Sequence, residues 1–147
     1  MSNKNIYFED NLKIDTLDKN GKVFDRITRI EGTAVDTKCK IVLDINSEIY
    51  KVSKDKIYSI LITKSLYPDG NLSNTFNYEM YLKKNSLMEN YDYVMNGKVF
   101  KLTEELDQQI GVHISFGGLI MGIIGDKMQL TSLNVDERVY FLMKKLD

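Results

Sequence analysis

Apolar and polar positions alternate with a period of two through much of the chain, the period of a strand with one buried face. Within residues 40–46, Ile41, Leu43 and Ile45 share one face. Within residues 57–62, Tyr58, Ile60 and Ile62 do the same. Asn20-Gly21 marks a turn between residues 14–17 and 23–30.

Two hairpins follow from turn chemistry. In residues 91–102, Asn96-Gly97 suits a type I′ turn, because both central residues need positive φ. That turn would pair Val94 with Val99, Tyr93 with Phe100 and Asp92 with Lys101, placing Tyr91, Tyr93, Phe100 and Leu102 on a core face. In residues 112–121, a Gly117-Gly118 turn sets Phe116 against Leu119 and Ile114 against Met121. Val112, Ile114, Phe116, Leu119, Met121 and Ile123 then form one apolar face. Residues 67–90 are polar and rich in asparagine, which predicts a long mobile loop. The end of the chain fits two periods. Val135, Val139, Leu142 and Leu146 suit a helix, whereas Val139, Phe141 and Met143 suit a strand.

A length of 147 residues fits one domain. Such a domain buries roughly 70% of its unfolded surface, enough to fold without staples. The formal net charge is −1, so no bulk field draws the chain to nucleic acid or membrane. One cysteine and no apolar leader read as a protein of a reducing compartment. The apolar run over residues 112–124 is interrupted and falls short of a membrane span of about 20 residues. Asn71-Leu72-Ser73 reads as a chance sequon.

Catalytic, metal-binding and cofactor-binding motifs are all missing from the expectation. His113 is the single histidine and falls on the outer face of its hairpin. Cys39 lies between Lys38 and Lys40, whose charges would lower its pKa, although an ordinary strand thiol is the better reading. Gly117, Gly118, Gly122 and Gly125 lack the Lys-Ser/Thr of a phosphate loop. Asp10, Asp15, Asp18, Asp25, Asp36 and Asp44 read as a solvated surface. Lys22, Arg26, Arg29, Lys38 and Lys40, with Phe24 among them, form a candidate face for weak, non-specific binding of single-stranded nucleic acid. Asp18, Asp25, Glu31 and Asp36 cancel much of that charge.

Several blocks resemble the small subunit shared by the eukaryotic nuclear RNA polymerases I, II and III. They are Phe8-Glu9-Asp10, the segment from Lys22 through Phe24-Asp25-Arg26 to Arg29, Leu43-Asp44-Ile45-Asn46, and Ser65-Leu66-Tyr67 before Asp69-Gly70. Tyr93-Val94-Met95 with Gly97-Lys98-Val99, the Gly117-Gly118-Leu119 turn, and Arg138-Val139-Tyr140 with Leu142-Met143-Lys144-Lys145-Leu146 complete the set. Their order and spacing cover residues 8–146.

The resemblance implies an all-β fold: one antiparallel barrel of the oligonucleotide-binding (OB) type over residues 1–147, with the flexible loop at about 67–90. It favours the strand reading of the C-terminus. It implies a non-catalytic subunit, docked on the largest polymerase subunit beside neighbouring subunits, in nucleoplasm and nucleolus, away from membranes. Gly117, Gly118, Leu119 and Tyr140 become candidate turn or interface residues. Asn96 stands at a hairpin-tip position where the family often has an aromatic, and Lys83-Lys84 where relatives are more acidic. The competing reading is a free-standing OB-fold module for single-stranded nucleic acid.

Overall fold

Every second side chain of the strand Lys40–Asn46 goes inside, where Ile41, Leu43 and Ile45 are buried. The same alternation builds the rest of the molecule. A computed structural model describes residues 6–19, 21, 25–66 and 87–146. Its strands are β1 (Ile6–Leu17), β2 (Ile27–Ala34), β3 (Lys40–Asn46), β4 (Ile57–Thr63), β5 (Tyr93–Glu104), β6 (Gln109–Phe116), β7 (Leu119–Asp126) and β8 (Arg138–Lys145). All pairings are antiparallel, and the eight strands close into a barrel in the order β1-β2-β3-β7-β6-β5-β8-β4. Closure pairs strand edges that an open sheet would leave free. The antiparallel barrel that the resemblance implied is present, with eight strands where the simplest OB barrels have five.

The interior is filled by apolar side chains. Leu12, Ile14, Ile30, Ile60, Val99, Val112, Ile114, Phe141 and Met143 are fully buried. At one end, the single-turn helix α1 (Lys127–Leu130) and the turn after it plug the barrel with Leu130 and Leu133. At the other end, Tyr50 stacks on Tyr93 with ring centroids 5.3 Å apart and meets Tyr58 edge-on at 6.2 Å. None of the described helices is long and apolar enough to cross a membrane.

The hairpin at Gly117-Gly118 forms in the expected register, with Phe116 opposite Leu119 and Ile114 opposite Met121. Both glycines have positive φ, 64° and 108°. The C-terminal segment is a strand, with Val139, Phe141 and Met143 buried.

The Asn96-Gly97 hairpin does not form. β5 runs straight through it, pairing Tyr93–Lys98 with β8 and Lys98–Glu104 with β6. Gly97 is needed for close approach instead. A Cβ there would strike the Ser115 carbonyl oxygen and the Phe116 ring. The core face moves accordingly to Tyr93, Met95 and Val99. Phe100, next along the strand from buried Val99, points outward and is 48% exposed, and beyond a bulge between Val99 and Lys101 Leu102 is 40% exposed. Asn96 is therefore mid-strand, opposite Tyr140, and not at a tip.

At the first turn, Gly21 has φ +91° and donates its N–H to the Asp18 carbonyl at 2.8 Å. Asn20, residues 22–24 and residues 67–86 lie outside the described residues, and with them most of the expected loop, the sequon and Lys83-Lys84. Leu87–Asn90 is a 3-10 turn.

Candidate subunit and nucleic-acid interfaces

The basic face is built on the β2–β3 hairpin, whose register sets Arg29 opposite Asp44. The Arg29 guanidinium donates from Nε to Asp44 Oδ1 at 2.7 Å and from Nη2 to Oδ2 at 3.0 Å. Pairing between β3 and β7 stops at Leu43 and Met121. One residue further, the Ile120 N–H donates to Asp44 Oδ2 at 3.2 Å. The carboxylate thus replaces the missing rung of the ladder. Asp44 is 5% exposed, which corrects its reading as a solvated surface acid.

The expected basic residues do not converge. Arg26 precedes β2 and pairs with Glu48 at 3.2 Å. Lys38 sits in the turn at the opposite end of the hairpin, roughly 25 Å away at about 3.3 Å per residue. Lys22 lies outside the described residues. Arg29 and Lys40 do share a shallow groove of about 560 Å³ with Lys19 and His113. Its other walls are Asp15 and Glu31 and the apolar Val42, Ile120 and Ile124, so its charge is mixed. His113 faces outward as expected, with Nε2 3.4 Å from Thr103 Oγ1 and its ring 6.2 Å from Phe100.

Asp10 is the second buried acid, 6% exposed. It accepts from the backbone N–H of Asn11, Asp36 and Thr37 at 2.6, 3.1 and 2.8 Å, and from Thr37 Oγ1 at 2.8 Å. Burial pushes its carboxyl up. The bonds from Thr37, Asp36 and Asn11 outweigh that and hold it below the ordinary value of 3.8. Asp10 ties β1 to the β2–β3 turn. Cys39 is a buried thiol, in line with the better of the two readings above. It is fully buried, and burial pushes its thiol up, against the lowering expected from its lysine neighbours. Its sulfur packs where Gly125 leaves no room for a Cβ.

Of the four expected turn or interface residues, Gly117, Gly118 and Leu119 are consecutive at the hairpin tip. Leu119 lines a groove of about 310 Å³ with Phe116, Asn96, Val94, Asn46 and Ile49, among others. Tyr140 stands opposite Asn96 on β8. Ile49, 71% exposed, had no periodic signal because it sits in the turn after β3. Among the described residues, no group of three or more His, Cys, Asp or Glu could hold a metal ion.

The family model described as RNA polymerase Rpb8 matches residues 9–145. The chain is similar to subunit 8B of DNA-directed RNA polymerases II, IV and V of Arabidopsis thaliana, 32% identical over 99% of this chain and 100% of that protein. It is 35% identical to subunit rpabc3 of RNA polymerases I, II and III of Dictyostelium discoideum, over 95% and 97% of the two chains. The Saccharomyces cerevisiae subunit RPABC3 is 30% identical, over 96% of this chain and 99% of that one. The match spans all eight strands from Glu9 to Lys145. The chain belongs to the RNA polymerase Rpb8 family.

Proposed function

We propose that this chain is a non-catalytic subunit shared by DNA-directed RNA polymerases I, II and III, docked on the largest subunit in nucleoplasm and nucleolus. The observation that carries this reading is the end-to-end family match over residues 9–145. The physical chemistry agrees with it. Asp10 and Asp44 spend their oxygens on backbone N–H groups and Arg29, so both buried acids hold the barrel together. The barrel interior is packed with aliphatic and aromatic side chains. Gly117, Gly118, Leu119 and Tyr140 belong to the docking surface in this reading. The test is co-expression of the tagged chain with the largest subunit. The unaltered chain retains that subunit, and Leu119→Lys retains much less. Equal retention by both would remove the tip from the docking surface.

The face of Arg26, Arg29, Lys38 and Lys40 binds single-stranded nucleic acid at most weakly, because Arg26 and Arg29 already hold acidic partners. Titration of a labelled oligonucleotide at physiological salt checks this. Affinity much tighter than the roughly micromolar range of non-specific contacts would favour the free-standing module.

A further inference from the structure

Among the described residues, β5 carries a stretch of strand edge that the barrel's own ring leaves open. β5 pairs with β8 over Tyr93–Lys98, but its pairing with β6 begins only at Lys98. The β6–β7 hairpin ends at Gly117-Gly118, so among the described residues no strand covers that side of β5 before Lys98. Hydrogen-bonding direction alternates along an antiparallel strand. Val99 donates its N–H to the Glu137 carbonyl at 2.9 Å, on the β8 side and in the β5–β8 register. Residues 93, 95 and 97 therefore face β8. Val94 and Asn96 turn their N–H and C=O the other way, into the groove beyond the glycine tip.

Protein edges are usually blunted by lysine, proline or a bulge. Tyr93-Val94-Met95-Asn96-Gly97 contains no charge and no proline, and the β5 bulge lies further on, past Val99. The groove beside this edge has apolar walls at Ile49, Phe116 and Leu119. Its one charged wall among the described residues, Asp92, already accepts from Tyr50 Oη at 3.3 Å and from the Lys145 N–H at 3.1 Å. Such a site fits a neutral, extended peptide.

We propose that the Val94–Asn96 edge of β5 receives an extended, uncharged segment of a partner polymerase subunit by strand addition. The backbone of Val94 and Asn96 makes the bonds, and an apolar side chain of the segment enters between Ile49 and Leu119. Main-chain bonds would give affinity and the pocket specificity. Three residues of extended chain fit along this edge, at about 3.4 Å each. This rests on the subunit reading above.

Hydrogen exchange of the full chain, alone and inside a purified polymerase, tests it. The Val94 and Asn96 amides should exchange fast in the free chain and at least about tenfold slower in the assembly. The Met95 and Gly97 amides, bonded to β8, should be slow in both. Fast Val94 and Asn96 exchange in an assembly that contains the chain would overturn strand addition and leave the subunit reading standing. Absence of the chain from every polymerase preparation would overturn both. Protection already present in the free chain would mean that its own polypeptide or a second copy covers the edge, and would also overturn the proposal. A variant adds a second arm. Asn96→Pro removes an edge donor that makes no bond to β8, whereas Asn96→Thr keeps it. With both folded, the proline chain should be retained in the polymerase about tenfold less than the threonine chain. Equal retention would overturn the proposal. Should the proline chain fail to fold, exchange in the unaltered chain decides.

Discussion

Arg29 and Asp44 face each other across the β2–β3 hairpin in a two-bond clasp, with the carboxylate inside and the guanidinium mostly outside. The Asp44 side chain is 8% exposed and that of Arg29 59%. The asymmetry predicts unequal costs. Asp44→Ala strands the Ile120 N–H as well as Arg29, and should destabilise the barrel by about 1–3 kcal/mol. Arg29→Ala leaves Asp44 its Ile120 bond and should cost less than about 1 kcal/mol, as exposed pairs do. Urea unfolding of the two variants checks the order. Equal losses would mean that Asp44 does not complete the β3–β7 ladder.

Much of this was legible in the sequence because barrel strands keep one face dry. Ile41, Leu43 and Ile45, and the whole Gly117-Gly118 hairpin, could be placed by period two and turn chemistry alone. Asn96-Gly97 misled because a turn dipeptide and a close-packing glycine look the same in one dimension. What decides between them is the Phe116 ring, 19 residues away in sequence. The roles of Asp10 and Asp44 were equally hidden, since their partners Thr37 and Ile120 are distant in sequence. Candidate basic residues were close in sequence but lie at opposite ends of one hairpin.

Asp10 predicts a pH dependence. Its carboxyl is held below 3.8 by backbone and threonine donors, so its ionised form is the one that stabilises. That contribution is complete above the ordinary value and disappears as pH falls through the lower folded value. Asp10→Asn should cost about 1–3 kcal/mol near neutral pH, with the gap to the unaltered chain closing in acid. Thermal melts at a series of pH values measure the gap. A gap that stays constant down through the acid range would contradict the assignment.

Gly97 and Asn96 distinguish a strand from a turn. Gly97→Ala forces a methyl against the Ser115 carbonyl and Phe116, and should cost about 1–3 kcal/mol or more. Asn96→Thr, at an exposed strand position, should be close to neutral. In a type I′ turn the threonine would be strained at positive φ. Melting temperatures of the two variants therefore read the local backbone directly.

The glycine tip behaves differently. Nothing lies within 4 Å of a Cβ at Gly117 or Gly118, so the cost of substitution there is conformational. Gly117 has φ +64°, a value that asparagine adopts, and Gly118 has φ +108°, which it does not favour. Gly117→Asn should keep nearly full stability, and Gly118→Val should lose about 1–3 kcal/mol. Equal stability would show that the tip relaxes to another turn.

The most direct test of the subunit assignment is to purify polymerases I, II and III separately, each through its own largest subunit, and quantify this chain in each by mass spectrometry. The chain should appear in all three at a constant ratio to the largest subunit, and should stay bound through washes at moderate salt. A chain absent from all three, or present in only one, would contradict its place as a shared subunit.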